Sequence, residues 1–122
     1  MNNKGPHFRI VFYRTESGDA PVERFLDQLE VRSRRKALDS LALLEEFGNR
    51  LREPYSKAVG DGIFELRIRF AGDAARIFYF FFVGNQIVLT NGFVKKTMKT
   101  PKRELQKART SKADYERRMR HE

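Results

Sequence analysis

Six basic residues lie within or directly beside the most hydrophobic part of this sequence. Three arginines occur in "FELRIRFAGDAARIFYFF" and three lysines in "FVKKTMK"; they are Arg67, Arg69, Arg76, Lys95, Lys96 and Lys99. Arg67 and Arg69 are two positions apart in a strand-like segment, so their side chains should project from one face about 7 Å apart. Cations held in this way can bind a phosphodiester and stabilise a pentacoordinate transition state without a metal ion.

RNA would suit such a site because its 2′-hydroxyl is a nucleophile that the substrate itself supplies. The protein would then need to orient that hydroxyl, accept its proton and neutralise the developing charge. A desolvated lysine that is crowded by other cations has a lowered pKa and can accept the proton, and Glu65 is a second candidate. Two alternatives stay open: the cations only bind a nucleic-acid backbone, and Glu65 only forms a structural ion pair.

Other common catalytic centres have no support in the sequence. The two histidines, His7 and His121, lie near opposite ends of the chain, and there is no cysteine. A Ser-His-Asp centre and a histidine or thiolate metal site are therefore not expected. A phosphate-binding glycine loop and a cluster of carboxylates for a divalent ion are also absent. We predict neither a metal nor a cofactor.

The net charge of +9 is concentrated at one end of the chain. Residues 95–122 contain 11 basic and 4 acidic side chains, whereas residues 1–62 contain 11 and 10. A local excess of this kind is typical of a surface that binds a polyanion such as nucleic acid. The alternatives are a solvated basic helix that only increases solubility, or a surface that binds an acidic protein.

Hydrophobic periodicity predicts four strands. Their apolar residues alternate with polar ones or form short continuous runs, at residues 7–14, 63–70, 75–83 and 86–93. Gly84 and Asn85, between the last two strands, predict a tight hairpin. In the second strand, Phe64 and every second residue after it should face the core, which places Arg67 and Arg69 on the opposite face.

Apolar stripes at helical spacing predict a helical hairpin between the first two strands. One helix begins at Pro21 and the other spans residues 31–47. The inner ridge of the second helix should be Leu38, Leu41 and Leu44. Residues 49–62 have no clear period and should form a loop. Thr100 and Pro101 should begin a third helix of about 15 to 18 residues, whose weak apolar stripe places it on the surface or against a partner.

These elements predict one α+β domain over residues 1–122 with the order β-α-α-β-β-β-α. The helical hairpin would pack on one face of a small, mainly antiparallel sheet, and the other face would be free. Residues 1–14 lack the apolar core of a signal peptide, and no apolar run approaches the roughly 20 residues of a membrane span. We therefore expect a cytoplasmic protein that does not contact a membrane.

Several motifs together resemble the RelE/ParE superfamily of bacterial toxins, and within it the HigB-like, phage-associated branch. They are an "ELR" strand, an arginine followed by "IFY", and "GFVKKTMKTPKRE" leading into a helix. The resemblance covers the whole chain in element order and is strongest over residues 62–108. It implies a RelE-like fold and the toxin of a type II toxin–antitoxin pair.

HigB-like toxins are metal-independent endoribonucleases that cut mRNA in the A site of the translating ribosome. The resemblance therefore implies mRNA and the ribosome as partners. It also implies a helix-turn-helix antitoxin as a partner. The toxin would contact operator DNA only through this antitoxin. Matched by motif, the catalytic residues would be Arg67, Arg76 and Lys96. The RNA-binding residues would be Arg69, Lys95, Lys99, Lys102 and Arg103.

The chain also departs from some members of that superfamily. Several of them place a catalytic aromatic residue or a histidine near the C-terminus, where this chain has Tyr115 and His121 in a polar segment. The general acid and base therefore stay unassigned. ParE members inhibit DNA gyrase by protein–protein contact, so a gyrase inhibitor is one alternative function. A nucleic-acid-binding module without catalysis is another.

Overall fold

The computed structural model of the protein describes residues 7–96 and 98–120. The chain forms, in order, β1 (Arg9–Phe12), α1 (Pro21–Gln28), α2 (Val31–Phe47), β2 (Ser56–Gly60), β3 (Ile63–Phe70), β4 (Asp73–Phe82), β5 (Gln86–Val94) and α3 (Lys102–Arg120). A short 3₁₀ turn, Gly48–Arg50, follows α2. The predicted α+β class is confirmed, and the arrangement is compatible with a RelE-like fold. Within the described ranges, every helix is too short or too polar to cross a membrane.

The strands form one mainly antiparallel sheet in the order β1-β5-β4-β3-β2. β1 pairs with β5 in parallel, and the other neighbours are antiparallel. The central strand β4 is apolar on both faces because both of its faces are covered. Ile77 and Tyr79 contact the layer of α1 and α2, whereas Phe78 and Phe80 contact the opposite layer.

The predicted hairpin at Gly84 and Asn85 is confirmed. The chain turns at residues 83–85, where Gly84 has a φ of 74° and Asn85 a φ of 63°. Glycine and asparagine are the residues that adopt positive φ at least cost. The turn contains one residue more than the two-residue loop that the sequence indicated.

One strand falls in the segment that was predicted to be a loop. Ser56–Gly60 pairs with β3 as the edge strand β2, and its register shifts between Ala58 and Gly60. Asp61 and Gly62, which follow it, both have positive φ. The strand is too short and too irregular to show a two-residue period, because a bulge interrupts the alternation.

The main core lies between the sheet and the helices α1 and α2. Leu66 and Ile68 of β3 are buried there, with Phe64 and Phe70 at the edge, as the alternation predicted. The buried ridge of α2 differs from the prediction, because Leu38 is 49% exposed. The residues that face the sheet are Ala37, Leu41 and Leu44.

The second face of the sheet is not free, contrary to the prediction. α3 packs across β4 and β5, and its Ala108 and Tyr115 are buried in apolar clusters with residues of the sheet. The Nζ atom of Lys112 lies 5.6 Å from the centre of the Phe80 ring. The inner stripe of α3 therefore contains a lysine, which buries its methylene groups, and a tyrosine, which buries its ring. Both residue types count as polar in a hydrophobic pattern, so the stripe looked weak in the sequence.

Gly48, at the C-terminal end of α2, should not tolerate a side chain. Its φ is +54°, and a Cβ atom there would overlap the ring of Phe8. We expect Gly48→Ala to lower the free energy of unfolding by about 2 to 4 kcal/mol, because backbone strain and overlap add. Urea denaturation measures the change. Gly72→Ala is the matched control, since Gly72 has a φ of +77° with no atom near the added Cβ; equal losses would contradict the overlap argument.

Candidate functional site

Two arginines from neighbouring strands meet at one buried carboxylate. Glu65 is 2% exposed. Its Oε2 atom lies 3.1 Å from Nε of Arg67 and 3.6 Å from Nε of Arg76. The sheet register causes this, because Arg67 and Arg76 are directly opposite each other in the β3–β4 ladder. Glu65 therefore forms the ion pair that the sequence left open as one alternative for this residue.

Further cations surround this pair. Arg69 is two residues from Arg67 on β3, Lys57 is opposite Glu65 in the β2–β3 ladder, and the backbone of Lys95 bonds to Ala74 of β4. We call the whole set the basic cluster, which consists of Glu65 with Lys57, Arg67, Arg69, Arg76 and Lys95.

Arg76 is more deeply buried than Arg67, with 12% of its side chain exposed against 27%. Its Nη1 atom donates to the carbonyl of Ala75 at 3.2 Å. The Nε atom is buried and has no hydrogen-bond partner among the described residues. Burial lowers the pKa of Arg76, and Arg67 and Arg69 lower it further against the opposing effect of Glu65. The side chain is thus a partly dehydrated cation that Glu65 and the carbonyl of Ala75 hold in place.

Lys95 belongs to the basic cluster because it continues β5 beside β4. Its backbone N–H donates to the carbonyl of Ala74 at 2.7 Å. Burial and the charge of Arg76 lower the pKa of the Lys95 amine, and Arg67 and Lys57 lower it further. Glu65 raises the same pKa without cancelling these effects. Lys95 is therefore a lysine that loses its proton more readily than an ordinary surface lysine.

Lys57 is a member of the basic cluster that the sequence did not predict. This residue lies on β2, opposite Glu65 in the β2–β3 ladder, and its charge contributes to the shift at Lys95. Nothing in the sequence indicated that it would share a sheet face with Arg67 and Arg76, because β2 was expected to be a loop. Only the assignment of a strand to this segment would have identified it.

Thr100 connects the basic cluster to the start of α3. Its hydroxyl donates to Oε1 of Glu65 at 3.2 Å. The predicted N-cap role of Thr100 is wrong, since α3 begins at Lys102 and the carbonyl of Pro101 accepts the N–H groups of Glu104 and Leu105. Both oxygens of Glu65 are therefore engaged, which favours a positioning role for this carboxylate over that of a general base.

The remaining predicted cations follow β5 in the chain. Lys96, Lys99 and Lys102 have exposed side chains along the segment that leads into α3. Arg103 lines a cleft of about 640 Å³ between α1, β5 and α3, together with Arg24 and Asn91. The structure thus brings together Arg67, Arg69, Arg76 and Lys95, and it does not bring Arg103 into the same group.

Tyr115 has a structural position. It lies in α3 and is 8% exposed, and its hydroxyl donates to Oε1 of Gln86 at 2.6 Å. Its ring packs edge-on against the rings of Phe80 and Phe82. These contacts explain its burial without a catalytic role. His121, the other C-terminal candidate, lies outside the described residues.

The basic cluster is suited to bind and polarise phosphate groups. Arginine presents its donors in a planar fork that matches phosphate oxygens, and lysine adds compact positive charge. A sheet holds these side chains more rigidly than a loop would, which charge stabilisation in a transition state requires. Over residues 7–96 and 98–120, no three histidine, cysteine or acidic side chains are grouped closely enough to hold a metal ion.

Comparison with known proteins identifies a family. No curated protein matches the chain. The family model described as phage-derived protein Gp49-like matches residues 24–113, a range that includes the whole basic cluster. This family is associated with the toxins of toxin–antitoxin systems. Because the match covers most of the 122 residues, the chain belongs to the family of phage-derived Gp49-like proteins.

Proposed function

We propose that the protein is the toxin of a type II toxin–antitoxin pair, and that it cuts mRNA in the A site of the translating ribosome. The observation that carries this proposal is the pair Arg67 and Arg76, held by buried Glu65 on adjacent strands. The association of the family with toxins supports it. The motifs that resemble HigB-like members of the RelE/ParE superfamily support the same activity.

In the proposed reaction, Arg67 and Arg76 bind the non-bridging oxygens of the scissile phosphate. The accessible part of the Arg76 guanidinium, on a side chain that is 12% exposed, donates to one of them. Negative charge grows on these oxygens as the pentacoordinate state forms, so their binding strengthens in the transition state. The two cations supply the charge stabilisation, and we propose a metal-independent reaction.

Lys95 is the proposed proton acceptor. Its neutral amine takes the proton of the 2′-hydroxyl, and the 2′-oxygen attacks phosphorus. The bond between phosphorus and the 5′-oxygen breaks, which leaves a 2′,3′-cyclic phosphate, and the departing 5′-oxygen takes a proton from solvent. This assignment replaces the earlier expectation for Lys96, whose side chain is exposed; Lys96 becomes a residue that binds the RNA backbone.

The other cations of the basic cluster would hold neighbouring phosphates of the same strand. Arg69 and Lys57 are exposed on the same face as Arg67. Lys99 and Lys102 would extend this surface towards α3. Arg103 would contact RNA only if the strand passes around the start of α3 to the cleft beside α1.

The proposed partners follow from the family association. A cognate helix-turn-helix antitoxin would neutralise the toxin, and only the antitoxin would contact operator DNA. The reaction on ribosomes places the protein in the cytoplasm.

A translation extract with one defined mRNA tests the proposal. Primer extension should show cuts with ribosomes present, no cuts on naked RNA, and no cuts with Arg76→Ala. Arg109→Ala is the matched control: it removes the same charge from α3, where Arg109 pairs with Asp61 at 2.7 Å, and this variant should cut normally.

Other outcomes would contradict parts of the proposal. Cuts on naked RNA would support the nuclease activity but exclude its dependence on the ribosome. Intact RNA with loss of gyrase supercoiling would indicate a ParE-type inhibitor, and intact RNA with steeply salt-dependent binding would indicate a non-catalytic module.

The cleavage rate should rise with pH through the pKa of Lys95 and then become constant. Burial and Arg76 lower that pKa, so the neutral amine forms at a lower pH than in an ordinary lysine. Lys95→Arg retains the charge but cannot lose the proton, so it should abolish cleavage and keep RNA binding. Lys96→Arg is the control and should keep both. Single-turnover rates across a pH series measure the effect, and an active Lys95→Arg variant would exclude Lys95 as the acceptor.

A further inference from the structure

The outward face of α2 carries charged residues that do not belong to the basic cluster. In the segment "RSRRK", residues 32–36, the guanidinium of Arg34 donates to the carbonyls of Leu26, Asp27 and Leu29, and so fastens α2 to the end of α1. Arg32, Arg35 and Lys36 are exposed instead. None of these three forms an ion pair within the described part of the chain, whereas Arg14, Arg24 and Arg109 do.

Apolar side chains lie on the same face at helix-pairing intervals. Val31 is 68% exposed and Leu38 is 49% exposed, and Ala42 is exposed one turn further on. Arg35 lies between Val31 and Leu38, so the four successive positions 31, 35, 38 and 42 are four, three and four residues apart. That spacing places them along one seam of the helix, which is the pattern of a helix that packs against another helix.

The C-terminal half of this face is acidic. Glu46 is exposed and Glu45 is half-buried, and neither is ion-paired with any residue that the structure describes. The basic residues of α2 thus lie at positions 32–36 and the acidic pair at positions 45 and 46, with Asp39 exposed between them, along a helix of 17 residues, about 25 Å. Carboxylates at one end would repel phosphates, so the charge pattern disfavours RNA. A partner that presents the reverse order is favoured, and an antiparallel copy of α2 does so.

We propose that this face of α2 binds the same face of a second copy of the chain, with the two helices antiparallel about a two-fold axis. Leu38 of each copy would lie against Ala42 of the other, and Arg35 of each against Glu45 of the other. A two-fold interface uses each pair of residues twice, so opposite charges at the two ends of one helix suffice for complementarity.

The interface should be weak, because one helix face buries less than the roughly 800 Å² per partner of a standard interface. We expect a dissociation constant in about the micromolar range or above. α2 covers the face of the sheet opposite to Arg67 and Arg76. The basic cluster would therefore stay accessible in the dimer, and the proposal does not depend on the proposed nuclease.

Sedimentation equilibrium over a concentration series of the full chain tests the proposal. The mass should rise from the monomer value of 14.4 kDa towards twice that value. Arg35→Glu should remain monomeric, because it places two carboxylates against each other. The double variant Arg35→Glu/Glu45→Arg should dimerise again, because both copies exchange their charges. A monomer at every concentration, or a dimer that Arg35→Glu leaves unchanged, would overturn the proposal.

A disulfide tests the register. The chain contains no cysteine, so Leu38→Cys/Ala42→Cys should give a covalent dimer under mild oxidation. Glu23→Cys, at an exposed position of α1, is the control, and this variant should stay monomeric. Absence of the covalent dimer would exclude this register. An Arg35→Glu variant that loses affinity for an RNA oligonucleotide while the wild-type chain stays monomeric would assign the face to RNA instead.

Discussion

Arg76→Ala should reduce the single-turnover rate of mRNA cleavage by about 10² to 10³-fold, the usual loss when a fixed transition-state donor is removed. Arg76 stands directly opposite Arg67, and its side chain is 12% exposed. A phosphate oxygen would accept a hydrogen bond from the guanidinium in a partly dehydrated environment, where the interaction is stronger than in water. The loss should appear in the rate at saturating ribosome–mRNA complex, since the interaction grows as charge develops.

The same substitution should leave the protein folded. Burial lowers the pKa of Arg76, and Arg67 and Arg69 repel it, so its removal also removes an unfavourable contribution. In this variant, Glu65 still accepts hydrogen bonds from the Nε–H of Arg67 and from the hydroxyl of Thr100. No buried charge is left unpaired, because Glu65 keeps Arg67 at 3.1 Å, so we expect a loss of about 1 kcal/mol in the free energy of unfolding, the size of one lost hydrogen bond, as measured by urea denaturation.

Arg76→Lys separates charge from geometry. Lysine keeps the positive charge but lacks the planar fork of donors, so about a tenfold loss of rate is expected. Arg109→Ala again serves as the charge-matched control. Cleavage at the wild-type rate by Arg76→Ala, with binding retained, would remove the basic cluster from the mechanism.

The face of β3 could be predicted because its signal is local. An eight-residue strand with one apolar face has only one orientation on a core, since a slip of one residue would expose Leu66 and Ile68. The turn after Phe70 then brings β4 back beside β3, so the meeting of Arg67 and Arg76 was within reach of the sequence. The distances from the two arginines to Glu65 could not be predicted, because they depend on the register of the β3–β4 ladder.

What could not be predicted depends on packing between distant segments. Lys57 is part of the site only because a bulged edge strand pairs with β3. α3 covers the second face through Tyr115 and through Lys112, whose chemistry is half apolar. Thr100 has the residue type of an N-cap, yet the buried Glu65 carboxylate takes its hydroxyl. In each case a tertiary contact decides between two uses that the local sequence permits equally.

Glu65→Ala should lower the free energy of unfolding by about 3 to 5 kcal/mol, the cost of breaking a buried ion pair from one side. The Glu65 side chain is 3% exposed and that of Arg76 12%, so the carboxylate compensates a cation that water barely reaches. Without it, Arg76 would remain buried beside Arg67, Arg69 and Lys95. Urea denaturation measures the loss.

A double-mutant cycle identifies the cause of that loss. If the uncompensated charge of Arg76 is responsible, Glu65→Ala/Arg76→Ala should be more stable than Glu65→Ala alone, because the second change removes the stranded cation. Glu65→Gln keeps the shape and an acceptor for Thr100, so it should lose less stability than Glu65→Ala. Simple additivity of the two alanine substitutions would show that Glu65 contributes through packing instead. A recovery in the double variant would show that the carboxylate keeps two arginines close together on a sheet where they would otherwise repel each other.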